Sequence, residues 1–189
     1  MRDRAYWVRP WPSGVVLASL IAGELADRVR GRAVIELGCG RGAAGIAAAR
    51  VGADVTLSDG EPEALEVAAE NAAASGVRVR LVALHWDRVP DALVGRFDVV
   101  LGTDIAYDRT KLTPLAGAIE ALLAPGGEAW IADPARLAAA MLLDALAGAG
   151  LHATRVRTEP HPPGVVAPND EEPVEIAIYR VVRGGSSRP

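Results

Sequence analysis

Apolar residues along this chain recur with two periods, one helical and one alternating, and the two take turns. In Val15–Val29, VVLASLIAGELADRV, they fall at helical spacing, and Pro12 and Ser13 stand where a helix start takes them. GRAVIELGCGRGAAGIAAARVGA then reads as strand, glycine loop and small-residue helix, and DVTLSDG as a second short strand ending in an acid. EPEALEVAAENAAASG predicts a helix, with Pro62 in its first turn and Gly76 beyond its end. VRVRLVAL alternates as a third strand, and RFDVVLGTD reads as a fourth. KLTPLAGAIEALLAPGG predicts a helix closed by Pro-Gly-Gly, followed by EAWIAD as a fifth strand and PARLAAAMLLDALAGAG as another helix. LHATRVRT and VEIAIYRVV are two final strands, separated by the Pro-rich segment Glu159–Pro173. No internal repeat is visible.

Strands alternating with helices imply an α/β fold, a doubly wound and mostly parallel seven-stranded sheet with helices on both faces. The last two strands follow one another without a helix, so one strand should be antiparallel. Ligands of such sheets bind beyond the carboxyl ends of the strands, at the topological switch point. That rule gathers the Gly38 loop, Asp59, the segment after Leu84 and Asp104 at one edge. The length of 189 residues suits one domain, expected over 1–183, with an N-terminal arm and helix over 1–30. The 159–173 segment should leave the sixth strand on the ligand side, either as a lid whose acids face a basic substrate or as a plain insertion. The GGSSRP tail, 184–189, is expected to be disordered.

Composition narrows the partners. Net charge is −4 and no basic run exists, which gives no reason to expect nucleic acid or an anionic membrane surface. Cys39 is the single cysteine, so an intrachain disulfide is impossible and a cysteine-based zinc site is not expected. The N-terminus lacks an apolar signal-like run, and no apolar window is long enough for a bilayer. A cytoplasmic, reducing location fits these features. Lys111 is the only lysine in a chain rich in arginine, alanine and glycine, as a GC-rich bacterial genome would encode.

Candidate chemistry begins at IELGCGRGAAG. Gly38 and Gly40 remove side chains and let the backbone approach a ligand closely. Gly38-x-Gly40-x-x-Ala43 also satisfies a dinucleotide pattern, in which pyrophosphate sits on a helix N-terminus. Glu36, two residues before the first glycine, is awkward beside a pyrophosphate. It suits a cationic ligand end, such as the ammonium of S-adenosylmethionine, directly or through water. Asp59 can accept hydrogen bonds from ribose hydroxyls of either adenosine cofactor. The plainer alternatives are a solvated strand-end acid for Glu36 and a helix cap for Asp59.

ELGCGRG, LSDG, LLAPGG and the paired last strands together resemble the seven-strand Class I methyltransferases, a Rossmann-like fold. RPWPSGVVLA, ALHWD and TDIAYD are similar to one branch of that superfamily, the seven-strand protein-lysine methyltransferases. ADPAR (132–136) is similar to the Asp-Pro-x-Arg of the enzymes acting on the electron-transfer flavoprotein beta subunit. The resemblance implies S-adenosylmethionine as cofactor. It implies that Asp104 and Tyr107 line the pocket of the methyl-accepting nitrogen, with Trp86 and Asp87 near adenine and Trp11 near the methionine end. Gly60 and Thr103 are expected to join the cofactor pocket. Structural alternatives are core packing for Trp86, pinning of the N-terminal arm for Trp7 and Trp11, and an ordinary strand-end acid and aromatic for Asp104 and Tyr107. His85 is a candidate base or a solvent-facing residue, and His161 falls in the Pro-rich segment.

Methyl transfer is a direct displacement at a sulfonium carbon, so most of the gain can come from alignment and electrostatics. A carboxylate at Asp104 can hold an amine by charge-assisted hydrogen bonds, and the face of Tyr107 favours an ammonium. Lysine titrates near 10.4 and attacks only when neutral, so proton loss to water is expected to precede attack. The expected acceptor is a protein lysine, with a small-molecule amine as the alternative. A nicotinamide-dependent oxidoreductase and a non-catalytic binding module are the more distant readings.

Overall fold

The structure, a computed structural model, describes residues 9–134, 137–160, 162 and 175–184. Trp7 and the first eight residues, Arg136, His161, most of the 159–173 segment and residues 185–189 lie outside the described residues. The elements run α1 (Pro12–Ala22), α2 (Ala26–Val29), β1 (Ala33–Leu37), α3 (Ala43–Arg50), β2 (Asp54–Asp59), α4 (Pro62–Ala74) and β3 (Arg80–Ala83). They continue as β4 (Phe97–Thr103), α5 (Leu112–Leu122), β5 (Leu123–Pro134), α6 (Leu137–Gly148), β6 (Leu151–Glu159) and β7 (Ile176–Arg183).

The strands form one seven-stranded sheet in the order β3-β2-β1-β4-β5-β7-β6. β1 pairs in parallel with β2 and β4, β2 with β3, and β4 with β5. β7 runs antiparallel to both β5 and β6, which makes it the one reversed strand of the sheet. The chain winds outward from β1 to β3, then returns to lay β4 on the other side of β1. The loops leaving β1 and β4 therefore diverge, and a crevice opens between them.

Successive strand residues point to opposite faces, and each face has its own core. Val34, Leu57, Val99, Leu101 and Ile178 pack with α1, α3 and α4. Ile35, Leu37, Val100 and Ile131 pack with α5 and α6. The small residues of α3 have a positional purpose. A Cβ on Gly45 would run into Leu57 and stand 2.8 Å from Glu36 Oε2. Glycine there lets α3 lie flat on the sheet, which brings its first turn against β1.

Three boundaries differ from the sequence reading. The helix expected over 15–29 begins at Pro12 and breaks after Ala22, where Gly23 leaves helical geometry and Leu25 N–H reaches back to Leu20 C=O at 2.8 Å. The third strand is shorter than VRVRLVAL, because Val77 N–H closes the end of α4 on Ala72 C=O. β5 starts at Leu123, ahead of the Pro-Gly-Gly: Leu123 pairs with Phe97, and the register then jumps so that Glu128 pairs with Val99. The turn residues are an excursion within β5 rather than a boundary before it.

Candidate active site

A cavity of about 750 Å³ opens at the carboxyl ends of the central strands. Its floor is the loop after β1. Gly38 and Gly40 have φ of 57° and 49°, a left-handed region that side chains resist. A Cβ on Gly38 would stand 3.2 Å from Ile105 and 3.3 Å from Trp86, so only glycine leaves this path clear.

The end of β2 supplies the next wall. Asp59 Oδ2 accepts a hydrogen bond from Gly40 N–H at 3.0 Å, and Oδ1 accepts one from Glu61 N–H at 3.1 Å. Asp59 thereby ties the glycine loop to its own strand. A carboxylate has lone pairs beyond these two bonds, so it can still accept from a ligand hydroxyl. Burial pushes its carboxyl above the ordinary range, against the opposing pull of the Gly40, Glu61 and Gly60 amides. His85 packs over Gly60: a Cβ there would lie 3.0 Å from His85 Nδ1. Trp86 and Asp87 follow on the same rim.

The segment after β4 forms the opposite wall. Asp104 is the one non-glycine residue with positive φ among those described, at 53°. Asp tolerates this conformation better than most side chains. Asp104 N–H donates to Ala132 C=O at 3.1 Å, and Ala106 N–H donates to Asp133 Oδ2 at 3.3 Å. Two bonds to β5 thus fix the turn that carries Asp104 and Tyr107 into the cavity. Tyr107 lines the cavity and remains 54% exposed. Trp11, at the start of α1, closes the remaining side, where Gly14 faces Thr103 and Ala43.

The structure brings Trp11, Gly38, Gly40, Asp59, Gly60, Trp86, Asp87, Thr103, Asp104 and Tyr107 around this one cavity. Glu36 is the departure. Its side chain is buried at 1% exposure and lies beneath the loop instead of lining the cavity. Oε2 accepts from Gly45 N–H at 2.8 Å, and the Ala44 amide also bonds the carboxyl. Glu36 therefore serves as an internal cap for α3, reaching across from β1. Burial pushes it up to about 8; those two amides oppose the rise and the Asp59 charge adds to it. With its first-turn amides already bonded to a carboxyl, α3 is a poor seat for a pyrophosphate, which weakens the dinucleotide alternative. Cys39 is a free, buried thiol beside this loop, and burial pushes its pKa up.

Asp133 is the site residue to which the sequence reading gave no role. It is 3% exposed, stands next to last in β5, and anchors the Asp104–Tyr107 turn. Its signal was an acid at a strand end one strand away from Asp104. Among the described residues no group of His, Cys, Asp and Glu is arranged to hold a metal ion, and no helix is long and apolar enough to cross a membrane.

A sequence model of the family described as lysine methyltransferase matches residues 8–139, most of the chain. The chain belongs to the lysine methyltransferase family. It is 37% identical over 131 residues to EEF1A lysine methyltransferase 3 of Mus musculus, covering 68% of this chain and 56% of that protein. It is 35% identical over 129 residues to a calmodulin-lysine N-methyltransferase of Arabidopsis thaliana, covering 64% of this chain and 42% of the relative. The chain thus spans about half the length of these relatives. In fold it is similar to magnesium protoporphyrin IX methyltransferase from Synechocystis PCC 6803, solved with bound SAH. The TM-score is 0.68 at 17% identity, covering 90% of this chain and 83% of the other. The family match contains every cavity residue named above and ends before β6 and β7. The stretch matched by the lysine methyltransferase family is therefore the part of the sheet that bears the cavity.

Proposed function

We propose that the chain is an S-adenosylmethionine-dependent N-methyltransferase whose acceptor is the side-chain amine of a protein lysine. The observation that carries this reading is the shared cavity: Asp104 and Tyr107 on one wall, the Gly38 and Gly40 loop as its floor. The residues present fit the cofactor. Gly38 and Gly40 admit close backbone approach, and Asp59 offers acceptors to the ribose. Trp86 gives an apolar wall for adenine, and Asp87 offers an acceptor for its amino group. Gly60 leaves room beside them, and Trp11 and Thr103 bound the methionine end. Bound there, S-adenosylmethionine supplies an activated methyl group on a sulfonium.

The chain's own residues do the rest by positioning. Asp104 accepts hydrogen bonds from the incoming amine and fixes the direction of its lone pair. Tyr107 offers a ring face that favours a cation before the proton leaves. That proton passes to water, and the neutral nitrogen then attacks. The two bonds to Ala132 and Asp133 keep Asp104 from relaxing out of its left-handed conformation. The reading extends to one catalytic unit over residues 1–183 in a bacterial cytoplasm, with neither nucleic acid nor membrane as partner.

The test is to supply methyl-tritiated S-adenosylmethionine and the purified protein to an extract of source cells lacking the gene. Label is expected in a protein band and on a lysine after peptide mapping. Label confined to small solutes would replace the protein acceptor with a small-molecule amine.

A further inference from the structure

The chain's one lysine stands on the wall of its own amine-accepting cavity. Lys111 lies four residues beyond Tyr107, in a single 3-10 turn over Arg109–Lys111 that leads into α5. That turn is held in place. Asp108 Oδ1 accepts from Thr110 N–H at 3.0 Å and from Thr110 Oγ1 at 2.7 Å, and Lys111 N–H donates to Asp108 C=O at 3.0 Å. Lys111 lines the same cavity as Asp104, Tyr107 and the glycine loop. Its side chain is exposed, and it forms no ion pair or hydrogen bond with another side chain among the described residues.

We propose that Lys111 is a self-methylation site, modified by the cavity of the chain that carries it. This inference rests on the reading of the cavity as an N-methyltransferase site. A tethered nucleophile needs no association step, so a modest fraction of correctly placed conformers suffices for a slow intramolecular reaction. Lys111 first gives one proton to water. Its neutral Nζ then forms a bond to the methyl carbon. The carbon–sulfur bond breaks with its electron pair passing to sulfur, which leaves neutral S-adenosylhomocysteine and a methylated ammonium. Every other long cationic side chain described here is an arginine, whose guanidinium is not a nucleophile at neutral pH. Lys111 is thus the only side-chain amine the chain can offer its own site.

The experiment incubates the purified full chain with S-adenosylmethionine and reads methylation by intact mass and peptide mapping. The native chain is expected to gain methyl groups mapped to Lys111. The fraction modified per unit time should not depend on protein concentration. Lys111→Arg should gain none there, and Asp104→Asn, with Lys111 intact, should lose most of the gain. Calorimetric binding of S-adenosylhomocysteine, measured on all three proteins, distinguishes a folded variant from a collapsed one. An enzyme that methylates a protein or small amine from the extract yet leaves Lys111 unmodified overturns this inference and leaves the proposed function standing. A rate per chain that rises with protein concentration overturns the intramolecular route. A protein that binds no S-adenosylhomocysteine and labels nothing overturns both readings.

Discussion

The Asp133 carboxylate, next to last in β5, accepts a hydrogen bond from the Ala106 amide at 3.3 Å, in the middle of the Asp104–Tyr107 turn. Asp133 is nearly fully buried and sits next in sequence to Ala132, whose carbonyl takes the Asp104 amide. The two bonds act on one short segment, so weakening either should loosen the acceptor wall. Asp133→Ala is expected to cost about 1–3 kcal/mol of stability, by leaving a buried amide without an acceptor. It should lower methyl transfer about tenfold or more, because small misplacements of a positioning group are costly in rate. Asp133→Asn keeps an acceptor oxygen and should restore most of both. Urea unfolding and a methyl-transfer assay check the pair. Loss of stability with undiminished transfer would remove Asp133 from the positioning of this turn.

Glu36 gives a pH dependence with a definite sign. In the unfolded chain its carboxyl titrates near 4.5, and in the folded chain near 8. Between those values the folded state holds a proton that the unfolded state has lost. The Glu36 contribution therefore falls as pH rises through the window from about 4.5 to about 8, and is flat on either side. Glu36→Gln keeps an acceptor for the Gly45 amide and removes the titration. Its stability relative to the native chain should climb across that window, as read from urea midpoints at several pH values. Parallel curves would show that Glu36 is not held protonated.

Gly38→Ala tests the cradle. The added methyl group meets Ile105 and Trp86 at 3.2 and 3.3 Å in a left-handed backbone conformation. Binding of S-adenosylhomocysteine should weaken by about tenfold or more, equivalent to about 1.4 kcal/mol. Titration calorimetry gives the number. Unchanged affinity would mean the ligand does not approach the loop at this residue.

Glu128 anchors the outer half of the sheet, away from the cavity. Its buried carboxylate accepts from Trp130 Nε1 at 3.1 Å and from Arg180 Nε at 2.6 Å, with Arg28 at 3.6 Å. Arg180 and Arg28 are partly exposed, which tempers the pair energy. Glu128→Ala is expected to cost about 1–3 kcal/mol, mostly by stranding the Trp130 donor and creating a void. Binding of S-adenosylhomocysteine should change little. A loss of affinity as large as the loss of stability would tie this network to the site.

Much of this was legible in the sequence, for physical reasons that differ by residue. Gly38, Asp59 and Asp104 could be read as one site because strand ends, once recognised, must share an edge in a doubly wound sheet. Trp86 and Tyr107 could be placed by the resemblance of ALHWD and TDIAYD to the protein-lysine methyltransferases. Glu36 could not, because the choice between facing the cavity and turning under α3 depends on Gly45, which only the packing reveals. The role of Asp133 was hidden for a similar reason: the sequence shows an acid at a strand end, but not that its partner is a backbone amide 27 residues away. Lys111 looked like a matter of codon usage until the turn after β4 set it on the cavity wall.

The most direct measurement compares the native chain with Asp104→Asn for two quantities: affinity for S-adenosylhomocysteine and the rate of methyl transfer to an amine. Asparagine tolerates the same left-handed backbone and keeps an acceptor oxygen, so the substitution removes charge with little change of shape. Affinity within about threefold of native, less than about 1 kcal/mol, with transfer reduced a hundredfold or more, about 2.7 kcal/mol, is the expected result. Transfer at the native rate would contradict the assignment of Asp104 as the group that receives and aims the amine.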